Sequence, residues 1–516
     1  MCCCSGGPSP FDQLLHMTTV GVMLPPLNQC RRCCSMNILF LTMLLAASCK
    51  LASHSSSMAM YSWHVCVLVS SCLLYLHCKH TVLVDAWQNS LKTASSLPSM
   101  SPDEDFCASL RILPSRAQVM SLTDFGAVGD GVTTNTHAFQ DAIHFLSAYS
   151  NEGGGQLHVP AGKWLTGSFN LTSHFTLFLD KDAVILGSQD PREWPVIDSL
   201  PSYGRGRELP GGRHISLIHG ENLTDVVITG SNGTVDGQGE MWWNMHAKGK
   251  LDYTRGHLVE LMHCQDVIIS NLTLKNSPFW TVHPVYSSNV LIQYLTILAP
   301  IESFNTDGID PDSSSRVCIE DCYIQNGDDL ISIKSGWDEY GIAYGHPSTK
   351  ISIQRIVGET RSSAGIALGS EMSGGISAVY VNDVTVHHAA TGVRVKSAQG
   401  RGGYVNDVYV SNVMLHNVKT GIGFTALYGE HPDGKYNHTA IPQVERVYIQ
   451  NVTGINITLA GDFEGLADFP FKDIYLVNIA LDVTSPHSKW RCVNVGGYSS
   501  SVHPEPCSQF SAMVLS

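Results

Sequence analysis

The chain has 516 residues, of which 43% are apolar and 15% charged, and a formal net charge of −14. These values are typical of a globular protein of one large domain or a few average ones. They disfavour a nucleic-acid partner, because phosphate binding relies on clustered Lys and Arg side chains and the chain contains no long basic run.

Residues 1–87 differ in composition from the rest and predict a targeting region. They contain ten of the 16 cysteines and two short apolar runs, "ILFLTMLLAA" and "VCVLVSSCLLYL". Each run has the length of a signal-peptide core and is shorter than the roughly 18 apolar residues that a membrane-spanning helix needs. We predict a signal peptide and a secreted protein, with a membrane signal anchor as the alternative. A leader segment, 88–120, follows.

The stretch "TNTHAFQDAIHFL" predicts an amphipathic helix at the start of the folded domain, with Asn135 or Thr136 as its N-cap. Its apolar residues recur at the spacing of one helix face; they are Phe139, Ala142, Ile143 and Leu146. The glycine turn "FGAVGDGV" precedes this helix, and early strands are predicted after it. We interpret the helix as an N-terminal cap, because the open apolar end of a repeat protein must be covered.

From residue 222 onward the chain repeats a short phrase of alternating β-branched residues, as in "TDVVITG", "QDVIISNLTL" and "NDVYVSNVML". The phrase occurs nine times at intervals of 23 to 41 residues, and its first apolar positions are Val226, Val267, Val290, Val317, Ile351, Val379, Val408, Val447 and Ile474. Alternation with period two predicts short strands with one face inward. Repeated strands of this kind predict an all-β protein, a parallel β-helix solenoid. We assign 121–500 to this domain and 501–516 to a C-terminal tail.

Cysteines and glycosylation sequons agree with a secreted protein. Cys492 and Cys507 bracket a loop rich in Gly and Ser, so we predict a disulfide between them. Cys318 and Cys322 lie in one predicted strand, too far apart to bond each other if it is straight and without a His cluster that would indicate a metal site. Seven N-x-S/T sequons favour the secretory route; they are at Asn170, Asn222, Asn232, Asn271, Asn437, Asn451 and Asn456.

The stretch "FNTDGIDPDSSSRVCIEDCYIQNGDD" places Asp307 and Asp328 21 residues apart, close to one coil of the solenoid. Residues one coil apart stack about 4.8 Å apart, so we predict that Asp307, Asp328 and Asp329 cluster on one exposed sheet. Their mutual repulsion would leave a protonated acid beside charged bases, as glycoside hydrolysis requires. Turn formation and Ca²⁺ binding are the alternatives. Asp310 and Asp312 indicate a structural turn.

The motifs "NTDGID", "NGDD", "GIALGS" and "GVRVKS", in this order on this repeat, resemble the polygalacturonase family of pectin hydrolases, glycoside hydrolase family 28. The resemblance covers about residues 121–495, and "FGAVGDG", "PFWTVHPV" and "SEMSGG" are similar to plant-type members. It implies a right-handed parallel β-helix of the pectin-lyase-like class and a secreted, cell-wall monomer. The implied reaction is hydrolysis of α-1,4-galacturonosyl linkages in pectic polysaccharide by a single displacement with water, which inverts configuration. No cofactor and no metal are implied.

Residue roles follow from the same resemblance. Asp328 is the expected general acid, and Asp307 and Asp329 are expected to position and deprotonate the attacking water. Arg394 and Lys396 would bind the substrate's carboxylates. Residues that lie two positions apart on a strand point to the same face, so these two side chains can share one ligand. An acidic enzyme also needs a local cationic patch to attract a polyanion. The alternative for this pair is a solvated strand face.

One position departs from the family pattern. Members have a His that supports the general acid just before the Gly-Ser step, and this chain has Ala364 there. Glu371 follows nearby, and His283 is either a replacement or a structural residue. Trp280 would stack on a sugar ring or pack in the fold.

Four functions therefore stay open. The leading prediction is a polygalacturonase. The others are a rhamnogalacturonan hydrolase, a pectin lyase-type enzyme, and a wall-polysaccharide-binding protein with weak catalysis, for which Ala364 is the suspicious residue. A lyase would need a strong base or a cation at the site, and the order of the Asp motifs argues against it.

Overall fold

The computed structural model describes residues 104–484 and 489–512. The predicted targeting region and residues 88–103 of the leader segment lie outside these residues. Among the described residues, no helix has both the length and the apolar character needed to cross a membrane.

Short helices and many strands make up the described chain. The helices are α1 (Glu104–Ser109), α2 (Thr136–Ser147), α3 (Glu240–Ala247) and α4 (Asp338–Tyr344). The strands are β1 (Gln118–Ser121), β2 (Asp130–Thr134), β3 (Gly155–Val159), β4 (Gly162–Thr166), β5 (Phe169–Asn170), β6 (Phe175–Leu179), β7 (Ala183–Gly187), β8 (Val196–Ile197), β9 (Arg213–His214), β10 (Ile218–Glu221), β11 (Thr224–Gly230), β12 (Gly233–Asp236), β13 (Val259–Met262), β14 (Gln265–Lys275), β15 (Val282–Val285), β16 (Ser288–Leu298), β17 (Ser315–Gln325), β18 (Ile331–Ile333), β19 (Ser348–Glu359), β20 (Ala364–Leu368), β21 (Ile376–His387), β22 (Thr391–Lys396), β23 (Tyr404–His416), β24 (Thr420–Thr425), β25 (Gln443–Ile457), β26 (Leu459–Glu464), β27 (Phe471–Val483), β28 (Trp490–Val493), β29 (Val495–His503) and β30 (Phe510–Ala512).

The strands form a right-handed parallel β-helix, which confirms the predicted fold. The predicted register is confirmed at every repeat: Val226 pairs with Val267, and the pairing continues coil by coil to Ile474. The long strands bend at a residue in the left-handed conformation, such as Asn271 with φ 55° or Asp321 with φ 53°. Asn and Asp tolerate this conformation better than other side chains, so each long strand turns a corner without ending.

Apolar side chains from every coil fill the interior in a continuous stack. Helix α2 covers the N-terminal end of this stack, as predicted, with Asn135 at its N-cap position. Phe139 of α2 stacks on Phe169 of β5 at a ring separation of 4.5 Å. The cap therefore excludes water from the first coil, where a solenoid would otherwise expose apolar surface.

Two rows of short strands form one outer face of the solenoid, which we call the site sheet. One row contains β5, β10, β13 and β15, and the other contains β18, β20, β22, β24, β26 and β28. Ile309 joins the rows, because it pairs with Val282 on one side and with Ile331 on the other. All these strands run parallel, so their amino ends share one edge of the sheet and their carboxyl ends share the other.

The described residues contain two disulfides, one local and one between distant parts of the chain. The predicted Cys492–Cys507 bond is present. A second bond joins Cys107, within the predicted leader segment, to Cys318 and holds α1 against the outer surface of the large sheet. Cys318 and Cys322 are not bonded to each other, as predicted, and Cys322 is a buried free thiol. No pattern in the sequence predicted the Cys107 pairing, which links residues 211 positions apart.

Candidate active site

Three carboxylates meet at the centre of the site sheet, where its two rows join. Asp307, Asp328 and Asp329 each have one carboxylate oxygen that lies within 4.8 Å of the corresponding oxygens of the other two. The predicted cluster therefore forms. It is less exposed than predicted: Asp307 and Asp329 are 3% and 0% exposed, and only Asp328 is partly open to solvent.

Asp329 is the carboxylate that its surroundings keep ionised. Lys396 Nζ lies 2.6 Å from one oxygen, and the other oxygen accepts hydrogen bonds from Ser363 Oγ at 2.5 Å and Ala364 N at 2.9 Å. Burial alone would raise the pKa of Asp329, but Lys396, Lys334 and these hydrogen bonds lower it below its ordinary value. Asp329 therefore remains charged in a site that almost excludes water.

The two neighbouring carboxyls, Asp328 and Asp307, have raised pKa values, in contrast to Asp329. Burial and the charge of Asp329 raise the pKa of Asp328. Burial and Asp328 raise the pKa of Asp307 well above its ordinary value. Asp310 is buried beside them, and neither of its oxygens has a hydrogen-bond partner among the described residues; burial and Asp307 raise its pKa well above the ordinary value. Crowded carboxyls cannot all ionise, so the site holds a proton donor beside an ionised acceptor.

Lys334 belongs to this cluster, and our sequence reasoning missed it. Its Nζ lies 3.6 Å from Asp307 Oδ2, 3.4 Å from Glu371 Oε2 and 4.2 Å from the centre of the Trp280 ring. A signal was present in "LISIKSG": Ile331 and Ile333 face the core, so Lys334 faces the same side as the acids.

The two cations of the predicted pair, Arg394 and Lys396, have different surroundings. Lys396 is buried and bound to Asp329, whereas Arg394 is partly exposed. Arg394 lines a cleft of about 550 Å³ together with Lys419, Tyr428 and Arg491. Arg394 lies 5.5 Å and Lys396 5.6 Å from the centre of the Tyr428 ring, so both bases lie beside this cleft.

The remaining candidates have structural contacts. His283 is fully buried, with Nδ1 2.9 Å from Glu260 Oε1 and Nε2 3.4 Å from Asp312 Oδ2. It is bound within a core network and does not replace the missing His. Trp280 is 4% exposed, which favours packing over stacking on a sugar. Ser363, the residue before Ala364, supplies a hydroxyl to Asp329.

Among the described residues, three groups of side chains have the composition of a cation site, and in one of them, with Glu320, Cys107 and Cys318 are joined in a disulfide and offer no thiolate. Two groups remain. The Asp307 cluster is one, but Lys396 and Lys334 already neutralise it and would repel a metal ion. The second consists of His257, Glu260 and His283. There, Arg213 Nη1 donates to both oxygens of Glu260, at 2.8 and 2.7 Å, and occupies the position of a cation. Neither arrangement favours a metal.

The raised pKa of Asp307 predicts that its ionised carboxylate lowers the stability of the folded protein at neutral pH. A carboxyl whose folded-state pKa exceeds its unfolded value stabilises the fold only below the unfolded pKa, about 3.9, and this contribution is lost as pH rises through the folded pKa. We therefore expect Asp307→Asn to raise the free energy of unfolding at pH 7 by about 1 kcal/mol or more, while activity is lost. Thermal unfolding at pH 7 and pH 4 checks this, since the gain should shrink at pH 4. An equal gain at both values would contradict an electrostatic origin.

Comparisons with known proteins agree with this geometry. A model of the family "Glycosyl hydrolases family 28" matches residues 157–503. A "Probable polygalacturonase" of Vitis vinifera is 54% identical over 395 residues, which cover 76% of this chain and 80% of that protein. "Polygalacturonase-2" of Solanum lycopersicum is 28% identical over 410 residues, 75% of this chain and 80% of that protein. The crystal structure of an exopolygalacturonase from Thermotoga maritima superposes with a TM-score of 0.68 at 28% identity and covers 78% of this chain and 96% of its own.

Proposed function

The chain belongs to family 28 of the glycosyl hydrolases and is a glycosidase, and we propose that it hydrolyses α-1,4-galacturonosyl linkages in pectic polysaccharide. The observation that supports this most directly is the pairing of an ionised Asp329 with a carboxyl of raised pKa, Asp328, within 4.8 Å. Two carboxyls whose pKa values are driven apart supply the acid and the base of glycoside hydrolysis.

In the proposed reaction, Asp328 is the general acid. Its partial exposure lets it reach the glycosidic oxygen, to which it donates its proton as the bond to the anomeric carbon breaks. Water attacks that carbon in the same displacement, with inversion, and its proton passes to the ionised Asp329. Asp307 holds the same water, since its Oδ1 has no hydrogen-bond partner among the described side chains.

The cleft beside Tyr428 supports a polyanionic substrate. Arg394, Lys419 and Arg491 line it, although Asp462 and Glu464 pair with Arg491. Arg394 and Lys419 are then the cations for substrate carboxylates, because the charge of Arg491 is already balanced by Asp462 and Glu464. This selects galacturonan over a neutral polysaccharide.

We also propose that the protein is secreted to the cell wall. Two disulfides among the described residues are typical of an oxidising compartment. Five of the seven sequon asparagines have exposed side chains: Asn170, Asn222, Asn232, Asn437 and Asn456. The monomeric state and the absence of a nucleic-acid partner stay predictions.

Product analysis tests the reaction. We expect the purified full-length protein to release saturated galacturonic acid units from de-esterified homogalacturonan. Unsaturated products that absorb ultraviolet light would indicate a lyase, and bound but uncleaved polymer would indicate a binding protein. Cleavage confined to rhamnogalacturonan would change the substrate and keep the chemistry.

A further inference from the structure

The site sheet is covered on one side of the carboxylates and open on the other. Glu260 of β13 and His283 of β15 point outward from the sheet, yet both are 0% exposed. On the opposite side, Asp462 and Arg491 hold equivalent positions on β26 and β28 and are reached by solvent. An outward strand position is buried only when another segment lies over it.

The covering segment is the loop 200–213, which we call the strap. At the carboxyl edge of the sheet, Tyr203 Oη donates to Asp312 Oδ2 at 2.6 Å. At the amino edge, Glu208 accepts from Arg255 Nη2 at 2.6 Å, and Arg255 also donates to Asn305, two residues before Asp307. The strap therefore crosses the full width of the sheet between Tyr203 and Glu208.

Two further contacts fix the strap beside the catalytic cluster. Arg207 Nε donates to Glu371 Oε1 at 2.8 Å, and Arg207 Nη2 donates to Glu430 of the loop after β24 at 2.5 Å. Arg205 donates to the carbonyl of Pro432 in that same loop. Because Glu371 contacts Lys334, and Lys334 contacts Asp307, only two side chains separate Arg207 from a catalytic carboxylate.

We propose that the strap ends the substrate groove and restricts the enzyme to the ends of galacturonan chains, with Arg207 and Glu208 as specificity-determining residues. This inference rests on the proposed function. A polymer passing through the site would need a continuous groove on both sides of the carboxylates, and the strap occupies one side. Only Glu371 and Lys334 separate Arg207 from Asp307, so the groove on this side of the carboxylates is short, and we expect each cleavage to release a single unit.

The test is the product pattern of the full-length protein on octagalacturonate and on polygalacturonate. We expect monomer as the first product, with little loss of polymer viscosity per bond broken. Early dimers, trimers and longer products with a rapid fall in viscosity would overturn the strap inference alone. Absence of any saturated product would overturn the proposed function and this inference with it.

A strap variant sharpens the test. Gly206 N donates to the Gly211 carbonyl at 2.8 Å, so the tip 207–210 has adjacent ends and can be replaced by Gly-Gly. We expect this variant to release oligomers about tenfold or more above the wild type, the discrimination that a steric block supplies. Arg192→Ala is the matched control, because Arg192 is exposed and pairs only locally with Asp190. An unchanged monomer pattern from a folded tip variant would refute the assignment.

Discussion

Replacement of Asp328 with asparagine is expected to lower kcat by about 10³-fold, within the range measured for removal of a general acid, and to change KM little. Asparagine keeps the size of the side chain but has no proton to give to the leaving oxygen. Asp328 is partly exposed, and it forms no ion pair with Lys396, which pairs with Asp329, or with Lys334, which pairs with Asp307 and Glu371. The loss should therefore come from chemistry and not from unfolding.

Leaving-group dependence separates a general acid from a structural residue. A galacturonide with an acidic phenol as leaving group needs little protonation, so Asp328→Asn should lose much less activity on it than on galacturonan. Equal losses on both substrates would assign Asp328 a structural role. Asp182→Asn is a suitable control, since Asp182 is exposed at a turn with φ 66°, a conformation that Asn also tolerates.

The register of the solenoid could be predicted because two constraints coincide in it. Alternation fixes which residues face inward, and a shift of one residue would expose the whole apolar set. Val226 therefore pairs with Val267, the inward-facing residue at the same position of the next coil. The 21-residue interval between Asp307 and Asp328 placed the acids for the same reason. Lys334 obeys the same alternation and could have been found with it.

Contacts between loops could not be predicted in this way. The strap joins Arg207 to Glu430 across 223 residues, and the bond from Cys107 to Cys318 spans 211. Loop paths follow no period, and many alternative pairings satisfy the same composition. The contact between Ser363 and Asp329 could not be predicted either, because it depends on the path of the chain before β20. Ala364 marked a missing side chain, but only the geometry shows that the preceding hydroxyl reaches Asp329.

The pair of Lys396 and Asp329 should contribute to both stability and rate. Both side chains are almost fully buried and their charged atoms lie 2.6 Å apart. Removal of one partner of such a pair leaves an uncompensated buried charge and typically costs about 3–5 kcal/mol. We expect Lys396→Met to lose about this much stability at pH 7. We also expect it to lose activity by about 10²-fold or more, because Asp329 is then protonated in a larger fraction of molecules and cannot accept the proton of the attacking water.

The pH dependence identifies the cause of that loss. In the wild type, the lowered pKa of Asp329 gives a stabilising contribution that is present above the unfolded pKa, about 3.9, and is lost as pH falls through the folded value. In Lys396→Met the pKa of Asp329 should rise, so the stability deficit should shrink toward acid pH and the acid limb of the activity profile should move to higher pH. Denaturant unfolding at pH 7 and pH 4 measures the first effect, and kcat/KM against pH measures the second. The double variant Asp329→Asn/Lys396→Met should recover stability without activity, since it removes the buried charge together with the base. A deficit that is the same at every pH, and that persists in the double variant, would show that Lys396 acts through packing alone.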